Sequence, residues 1–207
     1  PTICRTEQSS TFSRAYFGLG NKKTRAAIKY LSELPSAVTA VNLKDNRLDD
    51  ENLAKVIKAL QKNSKVEQII LAGNKVGNKS ADAMADLLSL PNMRLELLDM
   101  SHCDISDNAA KLLGTAIGKT KAPLQVLHLE HNNIRESGAA VLGKAFSKHK
   151  TLEKVYLQWN PFGDTGGKHI AKSIKTNASI THLDLHMTGF ADTAASVMAT
   201  SLKFNKV

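Results

Sequence analysis

Residues 124–134 read LQVLHLEHNNI, and this stretch contains a pattern that recurs along the chain. Counted from Leu124, apolar residues stand at the first position and again three, five and ten positions later, and an asparagine stands eight positions later. Six copies of the pattern are present, opening at Val38, Val66, Leu95, Leu124, Leu152 and Ile180. The period is therefore 28 or 29 residues. A fixed period of this length indicates a repeat protein rather than a fold around one central core.

The first part of each copy has the pattern of a short strand. Its apolar residues three and five positions after the opening are two apart, and side chains two apart point to the same face of a strand. The eighth position carries Asn46, Asn74, Cys103, Asn132, Asn160 and Thr188. Because an asparagine amide both donates and accepts, we expect a ladder of hydrogen bonds to backbone groups where each strand ends. Cysteine and threonine are weaker substitutes, so the ladder should be poorest in the third and sixth copies.

The second part of each copy has the pattern of a helix. Apolar or small residues stand 15, 18, 19 and 22 positions after each opening, which is the spacing of one buried helical stripe. Acidic residues gather at the predicted helix starts and lysines at the ends, as the helix dipole favours. A strand, a helix and a parallel neighbouring strand form a right-handed crossover. We therefore predict an α/β fold, a right-handed horseshoe solenoid with a parallel concave sheet and convex helices.

The copies resemble the ribonuclease-inhibitor-like class of leucine-rich repeats, which also includes the Ran GTPase-activating proteins and the tropomodulin C-terminal domain. The resemblance covers residues 38–207, and the predicted repeats are 38–65, 66–94, 95–123, 124–151, 152–179 and 180–207. Residues 1–37 are not a full repeat, and the pattern from Thr24 to Leu34 predicts an N-terminal capping segment with a helix. Val207 resembles the start of another strand, so we expect one continuous domain that is a fragment of a longer protein.

The outward positions of the strands carry a charge opposite to that of the whole chain. They lie one, two, four, six and seven positions after each opening, which makes thirty positions in six repeats. These positions hold seven acidic residues and two lysines, a formal charge of about −5, whereas the chain as a whole has +9. We therefore predict an acidic concave face, with the lysines on the helices and on the edge where the helices end.

The same outward positions hold Trp159, the single tryptophan of the chain, and five of the seven histidines. Neighbouring strands lie about 4.8 Å apart, so matching positions of consecutive repeats should form one patch. Exposed tryptophan and tyrosine among polar groups are typical of an interface centre; the competing interpretation is chance clustering on a tolerant surface. The predicted partner-binding residues are His102, His128, Glu130, His131, Tyr156, Gln158, Trp159, His182, Asp184, His186 and Met187.

The histidines also allow an interpretation as metal ligands. His128 and His131 lie near Glu130 in the sequence, and His182 and His186 lie near Asp184, and both sets contain suitable ligand types. Strand residues at unequal depths rarely converge on one ion, so we predict no metal site and no cofactor. Histidines titrate at about pH 6.5 when unperturbed, which would instead make binding sensitive to pH.

The leading functional hypothesis is a protein–protein interaction module, acting as a scaffold, sensor or inhibitor. Its concave face would bind a protein partner with a basic or apolar contact segment. One alternative, implied by the resemblance to the Ran activators, is a GTPase-activating or otherwise GTPase-regulating protein. Another is electrostatic binding of nucleic acid or acidic membrane through basic convex helices. No aromatic residues accompany these lysines, so no specific nucleic acid is expected.

The sequence also predicts what the protein lacks. No arrangement of nucleophile, base and acid stands out, and a solenoid has no closed pocket that excludes water, so we predict that it is not an enzyme and has no catalytic residues. No apolar run is long enough to span a membrane, so no membrane insertion is expected. Of the two cysteines, Cys4 and Cys103, the second fills a ladder position rather than a disulfide framework. We therefore expect an intracellular, cytoplasmic location.

Overall fold

The structure is a computed structural model that describes residues 11–15, 20–33, 38–205 and 207. Strands and helices alternate within these residues. The order is β1 (Thr11–Ser13), α1 (Gly20–Ser32), β2 (Ala40–Asn42), α2 (Asp50–Leu60), β3 (Gln68–Ile70), α3 (Asn78–Leu88), β4 (Leu97–Asp99), α4 (Asp107–Ile117), β5 (Val126–His128), α5 (Glu136–Phe146), β6 (Lys154–Tyr156), α6 (Gly163–Ile174), β7 (His182–Asp184) and α7 (Asp192–Phe204). The seven strands form one parallel sheet in chain order.

The register of the sheet follows the columns of the repeat. The residue three positions after each opening is the centre of its strand, and Val41 pairs with Ile69, which pairs with Leu98 in the next strand. The predicted inward side chains fill a continuous core in which Leu98 and Leu127 have no exposed surface. The predicted α/β leucine-rich-repeat solenoid is therefore confirmed.

The N-terminal segment contributes more than the predicted helix. Helix α1 is present, with Ala27 and Leu31 buried, but the predicted end at Leu34 lies outside the described residues. Before it, β1 pairs in parallel with β2, and Phe12 lies opposite Val41. This strand was not predicted because residues 11–13 contain a single apolar residue and so show no period.

The Asn ladder connects consecutive repeats through hydrogen bonds to the backbone. Its four asparagines are buried: Asn46, Asn74, Asn132 and Asn160. The Nδ2 of Asn132 donates to the carbonyl of Leu129 at 2.8 Å and to that of Met100, in the preceding repeat, at 3.0 Å. Its Oδ1 accepts from the backbone N–H of Cys103 at 2.9 Å. Each asparagine thus satisfies polar groups that the end of a strand leaves inside the solenoid.

The two substitutes make different hydrogen bonds. The thiol of Cys103 donates weakly to the carbonyl of Leu71 in the preceding repeat, with a sulfur-to-oxygen distance of 3.4 Å. The hydroxyl of Thr188 donates to Leu185 of its own repeat at 2.6 Å. Within the described residues, Thr188 makes no side-chain bond to the repeat before it, whereas Asn160 donates to Leu129. A hydroxyl is shorter than an amide and offers one donor, so it serves one repeat instead of two.

A second contact between repeats involves acidic residues at the helix starts. Asp107 is the first residue of α4, yet its carboxylate accepts hydrogen bonds from the start of α5. Its Oδ1 accepts from the backbone N–H groups of Arg135 at 2.7 Å and Gly138 at 3.0 Å, and its Oδ2 accepts from the Ser137 hydroxyl at 2.7 Å. Asp50 and Asp164 bind the next helix in the same way. These aspartates therefore cap the helix of the following repeat.

Replacing Asp107 by Ala should lower the free energy of unfolding by about 1–2 kcal/mol, because the first N–H groups of α5 lose their acceptor. Burial raises the pKa of Asp107, but the hydrogen bonds from Ser137, Arg135 and Gly138 outweigh it, and the pKa lies below its usual value. The stabilisation is therefore complete above the pKa of an unfolded aspartate and is lost as the pH falls through the lowered pKa. Urea unfolding at several pH values measures this.

The matched control for this measurement is Glu136→Ala. Glu136 is the first residue of α5, as Asp107 is of α4, but in the described part of the chain its carboxylate accepts no hydrogen bond from α6. Both changes remove an acidic residue from a helix start, so their difference isolates the contact between repeats. Equal losses of stability in the two variants would contradict the capping role.

Candidate partner-binding surface

The predicted partner-binding residues all lie on the solvent side of the sheet or on its rim. None of the eleven is buried, whereas the inward residues between them, such as Leu127, Leu129 and Val155, are at most 1 % exposed. Trp159 is 44 % exposed and Met187 is 61 % exposed, which is high for side chains of this size and polarity. We call this set of eleven residues the concave patch.

Three rings of the concave patch stack along the rim, where each strand ends. The rings of His102 and His131 lie 4.1 Å apart, centroid to centroid, with 12° between their planes. His131 stacks in turn on Trp159 at 5.4 Å and 11°. His186 meets Trp159 edge-on at 6.1 Å and 81°. Consecutive repeats therefore present a continuous column of ring faces and edges to solvent.

The rim column has a left-handed backbone. Its residues, seven positions after each repeat opening, are Asp45, Gly73, His102, His131, Trp159 and Met187, and their φ angles lie between 53° and 71°. Glycine, aspartate and histidine are found in this region more readily than bulky apolar residues. Trp159 at φ 59° costs about 1 kcal/mol or more relative to glycine. The conformation belongs to every repeat of the solenoid, and Trp159 is the largest side chain that adopts it.

A second row of rings runs along the strands. His128 pairs with Tyr156 across β5 and β6, and their rings are 4.3 Å apart and almost parallel, at 4°. Tyr156 then meets His182 of β7 at 5.1 Å with a tilt of 47°. Aromatic pairs in such geometries contribute about 0.5–1.5 kcal/mol beyond their burial. The two rows hold the rings in place without a partner, so little side-chain freedom remains to be lost on binding.

Carboxylates of the concave patch orient two of its histidines. The Nδ1 of His128 lies 3.0 Å from a carboxylate oxygen of Glu130, and the Nδ1 of His186 lies 2.8 Å from one of Asp184. Burial lowers the pKa of His128, but the hydrogen bond and charge of Glu130, with the charge of Asp99, outweigh it and raise the pKa above its usual value.

Two further groups of the concave patch, His131 and Asp184, have pKa values below their usual values. Desolvation and the charge of His102 lower the pKa of His131, although the charge of Glu130 opposes them. Burial raises the pKa of Asp184, but the hydrogen bonds and the charge of His186 outweigh it and lower that pKa. The charge of the concave patch therefore changes in several steps as the pH falls.

The histidine resonances should show this order in an NMR titration. We expect His128 to protonate at higher pH than His131, because Glu130 stabilises the imidazolium of His128 while His131 stacks on another histidine. Replacing Glu130 by Gln keeps the size of the side chain and removes its charge, so the pKa of His128 should fall and the interval between the two histidines should narrow. An unchanged interval in the Gln variant would show that Glu130 does not control His128.

The histidine and carboxylate pairs do not assemble into a larger ligand set. Within the described ranges, no group of three or more His, Cys, Asp or Glu side chains is placed to hold a metal ion. Cys103 lies buried below the sheet, and burial raises the pKa of its thiol to about 12. The thiol is therefore protonated and unreactive at neutral pH. Cys4 lies outside the described residues.

Sequence reasoning placed the residues of the concave patch on one surface but missed how they are held. The rim column was assigned as outward, without its left-handed backbone. A signal for that backbone was available, since Asp45, Gly73 and His102 are residue types that tolerate positive φ. The hydrogen bond by which Asp99 accepts from the Ser101 hydroxyl at 2.7 Å, next to the concave patch, had no sequence signal.

Comparison with known proteins supports this description of the fold. The family model described as "Leucine Rich repeat" matches residues 92–114, 120–143 and 148–171, which cover parts of the third, fourth and fifth repeats. The tropomodulin C-terminal domain of Caenorhabditis elegans has 18 % identity and a TM-score of 0.53, with 88 % of this chain and 92 % of that chain covered.

Two further solved structures are similar. The leiomodin-1 actin-binding site 2 has 18 % identity and a TM-score of 0.50, with 92 % of each chain covered. Internalin C2 of Listeria monocytogenes has 20 % identity and a TM-score of 0.54, with 93 % of this chain and 76 % of that chain covered. At such low identities these likenesses concern the fold alone.

The repeats and the parallel sheet define the class of fold, a leucine-rich-repeat solenoid, and the family model matches its central repeats. Its membership of the ribonuclease-inhibitor-like class stays a prediction from the repeat length. Across the residues that the structure describes, no helix has both the length and the apolar content needed to cross a bilayer.

Proposed function

We propose that the protein is a protein–protein interaction module that binds its partner on the concave patch. The observation that carries the proposal is the pair of ring rows, which together span four repeats and include an exposed tryptophan. Tryptophan and tyrosine are enriched among the residues that contribute most to binding at interfaces. Rings held by stacking before binding lose little conformational entropy when a partner arrives.

The proposed partner segment is basic or apolar. Glu130 and Asp184 lie beside the rings, and outward acidic residues outnumber basic ones on the sheet. A lysine or arginine side chain is a suitable ligand for such a surface, because it offers donors and charge together with an apolar stem, and it stacks on a tryptophan face.

The acidic charge of the concave face contributes more to the choice of partner than to the strength of binding. A basic segment is attracted to the acidic concave face over a distance of about 8–10 Å at physiological salt, which accelerates encounter. The rings then supply the contact area that keeps the complex together. An acidic segment would meet repulsion at the same surface. The proposed non-enzymatic role follows from this arrangement, which is open to water and built for contact.

Selection from a displayed library of random peptides tests the proposal. We expect enriched peptides to combine lysine or arginine with a large apolar residue, and to bind less well as salt is added. The selection should be repeated with a variant that carries Tyr156→Ala and Trp159→Gly, which should not enrich the same peptides. Enrichment of acidic peptides, or the same peptides from both proteins, would refute the proposed site.

A further inference from the structure

The edge of the solenoid at which helices end is strongly basic. Five loops lie there, residues 61–65, 89–94, 118–123, 147–151 and 175–179, and we call them the basic edge. They contain seven lysines and one arginine, with no aspartate or glutamate. All eight side chains are exposed, and none forms an ion pair within the described part of the chain. The strands are parallel, and each helix runs back to the edge of the sheet where the next strand begins, so every loop that follows a helix lies on the same edge.

Helix dipoles account for some of these charges and not for others. A lysine just after a helix end, such as Lys119 after Ile117, compensates the negative end of the dipole. That effect is confined to the last turn of a helix. Lys65 stands five residues beyond α2, and Lys121 and Lys150 stand four residues beyond α4 and α5. Their charge has no counterpart in the fold.

The opposite edge is acidic on balance, although Lys75 and Lys79 also lie there. The helices begin there, and their first turns contain Asp50, Glu51, Asp107, Glu136, Asp164 and Asp192. Some acidic residues, including Glu67 and Glu153, also stand close to the basic edge in sequence, but they follow the buried opening residue and belong to the concave side. The molecule therefore has an electrostatic dipole from one edge of the sheet to the other.

An exposed aromatic residue continues the basic edge. Phe204 is 57 % exposed and stands 24 positions after Ile180. The equivalent positions in other repeats include Lys62, Lys119 and Lys148, which are exposed although a repeat packs on either side. Leu90 holds the same position in the second repeat and packs partly against the core, so the greater exposure of Phe204 also reflects its place beside β7, the last strand of the sheet.

Two neighbours of Phe204 define its surroundings. Leu202 is similarly exposed, at 58 %, but belongs to the core column of Phe146 and Ile174 and is uncovered because β7 is the last strand of the sheet. The ammonium of Lys175, a residue of the basic edge, lies 5.2 Å from the centroid of the Phe204 ring. Basic and aromatic groups are thus adjacent at one end of the basic edge.

We propose that the basic edge docks the protein on an anionic phospholipid bilayer. The lysines and Arg94 would face the headgroup phosphates, and the Phe204 ring would enter the interfacial region. Each lysine or arginine close to an anionic membrane adds to the attraction, and a basic surface with an exposed aromatic residue is typical of interfacial binding. The acidic edge is repelled by the same bilayer, so the charge difference between the two edges favours one orientation of the protein on the membrane.

A nucleic acid fits the same edge less well. Phe204 is one ring at one end of the edge and the five loops contain no other Phe, Tyr or Trp, so no row of rings is present on which successive bases stack. The edge also consists of turns rather than a helix or ribbon that enters a groove. The inference does not depend on the proposed function, because the docked protein keeps its concave patch free for a protein partner.

Co-sedimentation of the 207-residue chain with vesicles tests the inference. We expect binding to equimolar phosphatidylserine–phosphatidylcholine vesicles, weakening as salt is added, and none to pure phosphatidylcholine. Replacing Lys119 and Lys148 by Glu should weaken binding roughly tenfold or more. Replacing Lys75 and Lys79 by Glu changes the net charge equally on the other edge and should have little effect. Phe204→Ser should weaken binding several-fold at unchanged charge.

The variants change exposed side chains, and a thermal melt verifies that each is folded. Equal losses for the two pairs of lysines would show a response to net charge alone and would overturn the proposal. So would equal binding to neutral and anionic vesicles, or tighter binding to duplex DNA or RNA than to anionic vesicles at the same salt. Peptide binding by the concave patch is measured without vesicles, so its success or failure is independent of this result.

Discussion

Leu129→Asp should abolish cooperative folding of the central repeats. Leu129 is 1 % exposed and lies in the layer between sheet and helices, at the position five residues after the fourth opening. An unpaired carboxylate there costs several kcal/mol. A domain of this kind has about 5–15 kcal/mol of stability, and each repeat depends on its neighbours. Circular dichroism should therefore show loss of the cooperative thermal transition.

Met187→Asp is the matched control for this change. It introduces the same carboxylate on the same sheet, but at a side chain that is 61 % exposed and in the rim column, where Asp45 already has φ 54°. We expect its melting temperature to stay near that of the parent protein. If Leu129→Asp also melted like the parent, Leu129 would not face the core and the assignment of inward and outward columns would be wrong.

Removing the two largest rings of the concave patch should nearly eliminate partner binding. Tyr156→Ala combined with Trp159→Gly should cost about 2 kcal/mol or more, which is roughly a 30-fold rise in Kd. Glycine is the right replacement at position 159, because Gly73 occupies the same rim column with φ 71°, whereas alanine would keep the backbone strain. Calorimetry with a peptide from the displayed library gives the two Kd values.

The same variant should remain folded, since Trp159 is exposed and its replacement relieves a strained φ angle. Lys144→Glu with Lys172→Glu is the control, because both lysines are exposed on convex helices away from the concave patch. We expect this control to bind within about twofold of the parent. A loss of binding in the lysine variant and not in the ring variant would move the site to the outer surface.

The fold was predictable from the sequence because the same strand–helix unit, with the same buried positions, occurs six times. Each repeat must bury the same positions, so the pattern stays recognisable where one repeat deviates from it, as with Cys103 in place of asparagine. The same columns identified the outward positions, and with them the residues of the concave patch. Strand β1 was not predicted because it contains one apolar residue, Phe12, and the N-terminal segment does not repeat the pattern of the other units.

Contacts between repeats were decided by the tertiary structure. The sequence indicated a favourable interaction between Asp107 and the dipole of its own helix, α4. The structure shows that the Asp107 carboxylate instead accepts hydrogen bonds from the start of α5, in the next repeat. The ring-to-ring stacking of His102, His131 and Trp159 likewise needs the register of three strands. Sequence periodicity determines which face a side chain occupies, because that depends on local backbone geometry. The hydrogen bonds and stacking contacts of that side chain are made with residues of the neighbouring repeat, about 28 positions away in the sequence. The distances between such residues are determined by how the repeats pack, which the periodicity does not specify.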